Sequence, residues 1–191
     1  YTCLIRNPHW QPERLTHGRA DTCFLRDASG TEEKLRRTPM TKEEVREVSI
    51  CKLHLTQNAV VYDIGSGTGS VAIEIAGVPG GVQVYAIERK PEAVELLRKN
   101  REHFHMDNIQ IIEAPAPEGL EELPVPTHAF IGGSGGRLLD ILQTLYRKNP
   151  HMRIVINAIS METIAELKEV LDTFPVEEEE ILQMQVSRVK K

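Results

Sequence analysis

The chain has 191 residues, 40% of them hydrophobic and 27% charged, with a formal net charge of −5. That is room for one domain with a sizeable core plus a short extra segment. The negative balance gives no electrostatic footprint for nucleic acid, and no apolar run is long enough to cross a bilayer.

Three cysteines, Cys3, Cys23 and Cys51, form no C-x-x-C pair and are odd in number. They read as free thiols in a reducing cytoplasm. No metal-ligand cluster is evident, and His103 and His105, flanking Phe104, suit a solvated helix end.

Residues 1–38 are predicted to form an arm or linker, with a short strand at 1–5. Pro, Gly, Arg and Asp break any sustained period there, so packing is expected only through Trp10, Phe24 and Leu25. The main domain is assigned to residues 39–191. Thr41-Lys42-Glu43-Glu44 has the pattern of a capping box, with Thr41 as N-cap of the helix that follows.

Residues 59–64 form a β-rich run that ends in Asp63-Ile64-Gly65-Ser66-Gly67-Thr68-Gly69, before a helix over 70–76. Glycines permit positive φ and close backbone approach, and a helix start presents N–H groups to an anion. A dinucleotide fingerprint, G-x-G-x-x-G, would place its last glycine where Ser70 stands. This loop reads G-x-G-x-G, and Asp63 precedes it. A carboxylate there repels pyrophosphate but attracts an ammonium and complements a sulfonium. The pattern therefore favours S-adenosylmethionine over NAD, with Gly65, Ser66, Gly67, Thr68 and Gly69 as the cradle.

A strand over 82–87 ends at Glu88, about twenty residues past the glycines, where a carboxylate can accept from a ribose diol. A helix over 91–104 starts on proline. After a strand at 109–112, small residues Ala114 and Ala116 in Ala114-Pro115-Ala116-Pro117 could wall an adenine ring or form a plain turn. A strand at 127–131 then runs into Gly132-Gly133-Ser134-Gly135-Gly136 and Arg137. Four glycines in five residues suggest a backbone kept bare for a flat or anionic ligand, and Arg137 could pair with a carboxylate. A helix over 138–147, a strand at 152–156 ending beside Asn157, and a helix over 162–174 follow. Residues 176–189 read as a long sixth strand with a solvated start at Glu177–Glu180. Strands alternating with helices predict an α/β, Rossmann-like, doubly wound and mostly parallel sheet of the class I methyltransferase kind, with ligands at the strands' carboxyl ends.

Pro39-Met40-Thr41-Lys42-Glu43-Glu44-Val45-Arg46, the loop 63–69, Ala116-Pro117-Glu118, residues 130–136 and Val155-Ile156-Asn157-Ala158 occur in this order. Together they resemble the decarboxylating precorrin-6Y C5,15-methyltransferase family of cobalamin biosynthesis, over roughly residues 18–189. The Pro-Met-Thr-Lys and Gly-Gly-Ser-Gly-Gly motifs are the specific parts. The glycine loop alone fits many methyltransferases. Cys3 to Pro8 looks like the last strand of a preceding tetrapyrrole-methylase domain, and residues 17–24 resemble its linker. A C-terminal piece of a fused enzyme is therefore expected, in keeping with the absence of a starting methionine.

Two departures stand out. The family often has Gly-Asp-Ala-Pro at 114–117, so a carboxylate for the adenine amino group is absent. It also usually adds a seventh, antiparallel strand, without which the sixth would be an open edge.

The resemblance implies methylation at carbon 15 of a corrin precursor, decarboxylation of the ring C acetate at carbon 12, and a homotetramer. Methyl transfer from a sulfonium requires no metal, and the charge balance and lack of a long apolar run point to no nucleic-acid and no membrane partner. Gly132 to Gly136, Arg137 and Asn157 become candidates to face the tetrapyrrole, with Thr41 a secondary candidate at the cofactor. Two rivals stay open on the residues alone. One is a methyltransferase of RNA or protein, disfavoured by the acidic balance and 5% aromatic content. The other is a non-catalytic module that binds the cofactor, since no general base can be named.

Overall fold

A computed structural model of the chain describes residues 18–27, 38–187 and 189. The expected strand at 1–5 and the packing of Trp10 lie outside them. The described chain runs α1 (Glu43–Leu53), β1 (Val60–Ile64), α2 (Ser70–Ala76), β2 (Gln83–Glu88) and α3 (Pro91–His103). It continues through β3 (Ile109–Glu113), β4 (His128–Ile131), α4 (Leu138–Lys148), β5 (Arg153–Ile156) and α5 (Met161–Leu171). The five strands are parallel, in the order β3-β2-β1-β4-β5. The order reverses direction beside β1, which puts a crevice at the carboxyl ends of β1 and β4.

The strands are short and mostly apolar, and the central pair, β1 and β4, buries side chains on both faces, as a sheet covered by helices requires. On one face Val61, Val84, Ala86 and Phe130 pack with Ile50, Leu53, Ile73, Ile75 and Leu97 of α1 to α3. On the other, Tyr62, Ile64, Ile87, Ala129 and Ile131 meet Leu138, Ile141, Leu142 and Leu145 of α4, and Val170 of α5. The α4 residues recur at i, i+3, i+4 and i+7, one stripe of a helix. Burying each such side chain is worth about 1.5–3 kcal/mol. By the two-residue period of β1, Asp63 lies on the same face as Val61, toward α2.

Three expectations are corrected. Thr41 does not cap α1: the N-cap is Lys42, without a side-chain cap bond. The Glu43 N–H instead donates to Asp21 Oδ1 at 2.9 Å. A full carboxylate brought in by the arm is a stronger partner for a helix start than a hydroxyl. Helix α5 ends at Leu171 rather than reaching Phe174, because Pro175 disfavours helical φ, ψ at the residue before it. Phe174 turns back onto Tyr146, ring centroids 5.5 Å apart.

The expected sixth strand is absent: the described residues of 176–189 carry no strand, and Ile181, Leu182 and Val186 are exposed. A strand exists only where a neighbour supplies the ladder. Among the described residues β5 pairs only with β4. The acidic run is anchored instead by Lys52 Nζ, 2.6 and 2.7 Å from the two Glu180 carboxylate oxygens.

The arm is bound by charge. Arg46 and Glu74 are both wholly buried. Arg19 Nη1 donates to Glu74 Oε2 at 2.9 Å, and Arg46 Nε lies 3.7 Å from Glu74 Oε1. Arg46 also donates to the carbonyls of Arg19 and Thr41. The two guanidinium groups lie over aromatic rings, Arg46 on Phe24 at 4.8 Å and Arg19 on Phe104 at 5.1 Å. Phe24 is buried as expected, whereas Leu25 is 45% exposed.

Candidate functional site

The glycine turn leaves β1 with Gly65, Gly67 and Gly69 at φ of 73°, 57° and 78°. Only glycine holds such a run without strain. The Gly65 and Ser66 N–H groups donate to the Ile87 carbonyl, and the Gly69 N–H donates to the Ser66 carbonyl. Asp63 is completely buried under the turn. Its Oδ2 accepts from Ser66 Oγ at 2.7 Å and from the Ala72 N–H at 3.1 Å, while Oδ1 has no partner among the described residues. Burial raises its pKa from 3.8 to about 7, opposed by those two bonds and reinforced by nearby Glu88. The fold thus holds a buried carboxylate poised to ionise, with one of its two oxygens unpartnered among the described residues.

Glu88 ends β2 at the same edge. Its Oε2 accepts from the Gly67 N–H and its Oε1 from the Arg89 and Lys90 N–H groups, all at 2.9 Å. The β2 strand register puts Glu88 opposite Glu113, after which the Ala114 N–H donates to the Glu88 carbonyl. Ala114 and Ala116 are half-buried, and Ala116 packs against the core beneath.

The second glycine loop stands against the first. A methyl placed on Gly65 would lie 2.7 Å from the Gly133 carbonyl oxygen and 2.9 Å from its nitrogen. Methyls placed on Gly133 or Gly136 would meet nothing within 4 Å, so this backbone is bare. Ser134 is engaged: its hydroxyl donates to Glu166 Oε2 at 2.9 Å and accepts from the Gly136 N–H. Arg137 is paired with Glu118 and Asp140 and lines an open groove outside α4 with Pro117, Tyr146 and Phe174. At the end of β5 the Asn157 N–H donates to the Ile131 carbonyl, and its amide lies 3.1 Å from Ser49 Oγ of α1. The Asn157 Nδ2 is buried without a partner among the described residues. Thr41 is held through its carbonyl, and the segment before it crosses the turn, the Pro39 carbonyl lying 3.1 Å from a methyl placed on Gly67.

Asp63, the turn, Glu88, residues 132–133 and Asn157 therefore share one edge of the sheet, while Arg137 is drawn aside. A family model described as a precorrin methyltransferase domain matches residues 36–191. The chain belongs to the precorrin methyltransferase family.

A family member from Sulfurisphaera tokodaii, named a probable cobalt-precorrin-6B C(15)-methyltransferase (decarboxylating), is 43% identical over 133 residues, 69% of each chain. The solved precorrin-6Y C5,15-methyltransferase of Geobacter metallireducens matches with a TM-score of 0.72 at 38% identity, covering 82% of this chain and 79% of that one. The C-terminal domain of the Rhodobacter capsulatus precorrin-6Y C5,15-methyltransferase gives 0.66 at 26%, covering 84% and 80%. This precorrin methyltransferase is an S-adenosylmethionine-dependent enzyme of α/β fold. Its residues fit that cofactor: an unpaired buried carboxylate oxygen beneath a bare turn, with a second acid at the neighbouring strand end. Among the described residues there is no cluster able to hold a metal and no helix long and apolar enough to cross a membrane.

Sequence reasoning missed the supports of this methyltransferase site. Asn100, wholly buried in α3, donates to the Thr68 and Leu25 carbonyls and accepts from the Leu25 N–H. It binds turn, arm and helix in one network. Its only signal is an amide on the apolar stripe of Ala93, Leu96 and Leu97, where a polar group needs a reason. Arg46 and Glu74 carry the same signal, charges among apolar helix residues.

Proposed function

We propose that the chain methylates a precorrin-6-type tetrapyrrole at carbon 15 and removes carbon dioxide from the ring C acetate at carbon 12, a step of cobalamin biosynthesis. The observation that carries this reading is the direct contact of two bare loops. One overlies a buried acid fit for a cationic cofactor, and the other is open to a large flat acceptor. The names of the relatives support the reaction, and their sequences cover the same domain.

Bound at the first loop, S-adenosylmethionine supplies a methyl group on a sulfonium, which needs no further activation. Asp63 would pair with its ammonium and Glu88 with its ribose hydroxyls. Gly65 to Gly69 would present backbone N–H groups to its carboxylate, Ala114 and Ala116 would wall the adenine, and Thr41 lies on the segment closing over the turn. Gly132 to Gly136 would let the macrocycle approach, with Asn157 as a polar contact beside it; Arg137, held aside by Glu118 and Asp140, would reach only its outer margin. The chain's task is alignment and exclusion of water, since effective molarity rather than acid–base chemistry limits such a displacement. The macrocycle itself accepts the electron pair left by carbon dioxide, which accords with the absence of an identifiable general base.

We further assign a homo-oligomer, a tetramer in the expected form, fused or associated with a tetrapyrrole-methylase domain. Exposed apolar residues Ile159, Met161, Ile181 and Leu182 favour self-association. The reaction is tested by incubating the chain with methyl-labelled S-adenosylmethionine and precorrin-6B, with and without cobalt. The expected product gains one labelled methyl group and loses carbon dioxide. Transfer of label to transfer RNA or protein, with the tetrapyrrole untouched, would refute it.

A further inference from the structure

Arg89 follows Glu88 at the end of β2, yet its guanidinium reaches the second glycine loop, which follows β4. It therefore spans the turn of β1, which lies between those strands in the sheet. A methyl placed on Gly135 would stand 3.4, 3.5 and 3.6 Å from Nη1, Cζ and Nη2. Such nearly equal distances arise when the guanidinium plane lies face-on to the glycine; an edge-on approach would leave Cζ well behind both nitrogens. The N–H edge is thereby left in plane, the geometry that grips a carboxylate with two parallel bonds.

Among the described residues that edge has no acidic partner. Arg98, Arg137 and Arg147 are each paired, with Glu113, Glu118 and Glu121. Arg89 is exposed and makes neither an ion pair nor a side-chain hydrogen bond among the described residues. Neighbouring Glu88 makes no bond to the guanidinium: its three hydrogen bonds come from the backbone N–H groups of Gly67, Arg89 and Lys90, and a remaining lone pair is left for a ribose hydroxyl. Gly136, next to the stacked Gly135, faces open space, so an acceptor can reach the cation. Gly135 has φ of 63°, and a side chain there would displace the guanidinium as well as strain the turn.

We infer that Arg89 is a specificity residue that binds a peripheral carboxylate of the acceptor, its face held flat by Gly135, at the boundary between the cofactor turn and the substrate loop. This rests on the tetrapyrrole reading above, since that acceptor carries several carboxylates. Arg137, spent on Glu118 and Asp140, is the weaker candidate for the same work.

The test compares wild type, Arg89→Gln and Arg89→Lys in turnover of cobalt-precorrin-6B, with S-adenosylhomocysteine affinity measured separately by calorimetry. Losing one charged bidentate contact should raise KM for the tetrapyrrole about tenfold. The kcat and the S-adenosylhomocysteine Kd should stay within about twofold. Arg89→Lys should recover part of the loss, as a point charge without the fork. The wild-type KM should also rise more steeply with salt than that of Arg89→Gln. An unchanged KM overturns the inference, as does a loss confined to S-adenosylhomocysteine affinity, which would make Arg89 a cofactor contact. A wild type inert toward the tetrapyrrole refutes the functional reading and this inference with it, whereas an active wild type with an indifferent variant refutes this inference alone.

Discussion

Asp63 is a group whose chemistry is strongly displaced by its position. With a pKa near 7 it shares its proton with solvent at neutral pH. A raised folded-state value means the folded chain binds the proton more tightly than the unfolded one. Its contribution to stability is therefore fully present below about pH 4 and is lost as pH rises through about 7. Ligand binding runs the other way, because an ammonium pairs with the ionised form. Affinity for S-adenosylhomocysteine should fall about tenfold per pH unit below 7 and level off above it. Asp63→Asn should bind weakly and show no such slope. Calorimetry across pH 5.5 to about 8.5 checks this, and an equal slope in the variant would assign the titration elsewhere. The acid's place beside the turn was legible in the sequence, because the spacing of Asp63 to Gly65 is local. Its unpartnered oxygen was not, since that depends on Ser66 and Ala72 both bonding to the other one.

At the scale of elements, two connections organise the site. The first is the contact of the two glycine loops. Gly65→Ala would drive a methyl into the Gly133 backbone from a left-handed φ, so it should destabilise the fold and abolish S-adenosylhomocysteine binding. Gly133→Ala meets no neighbour, so it should fold with normal S-adenosylhomocysteine affinity while raising KM for the tetrapyrrole. Thermal melts with and without ligand separate the two. The second connection is the charged clasp of the arm. Removing one member of a buried ion cluster strands the others, at a cost of about 3–5 kcal/mol. Arg46→Ala should lower Tm by on the order of 10 °C and expose the arm to protease. Neither connection could be read from the chain. Arg46 and Asp21 stand 25 residues apart, Arg19 and Glu74 stand 55 apart, and periodicity reports only neighbours. The same distance explains the misplaced cap: Thr41 to Glu44 fits a capping box locally, but Asp21 arrives from outside the window.

For the whole molecule, the strand–helix alternation was legible because each β1 to β5 segment is bounded by turn residues and helices α3 and α4 carry a 3.6-residue stripe. The two acid-and-glycine strand ends then fell on one edge through parallel topology alone. The stretch 176–189 shows where such reading stops: its apolar residues suit a strand, but no described neighbour receives it. Those residues give the assembly proposal its own test. Ile181→Glu or Leu182→Glu should shift the mass seen by light scattering toward the monomer, with S-adenosylhomocysteine affinity retained. An unchanged mass would place the association surface elsewhere. The abutting loops also carry a lesson for redesign. With Gly65 and Gly133 nearly touching through their backbones, the donor side of that seam has no room for an added atom, whereas the outer side of Gly133 is open. Anyone re-engineering the enzyme for a new acceptor should hold Gly65 fixed and diversify outward, from Arg89 and from 133 to 137, where a change does not propagate into the donor's cradle.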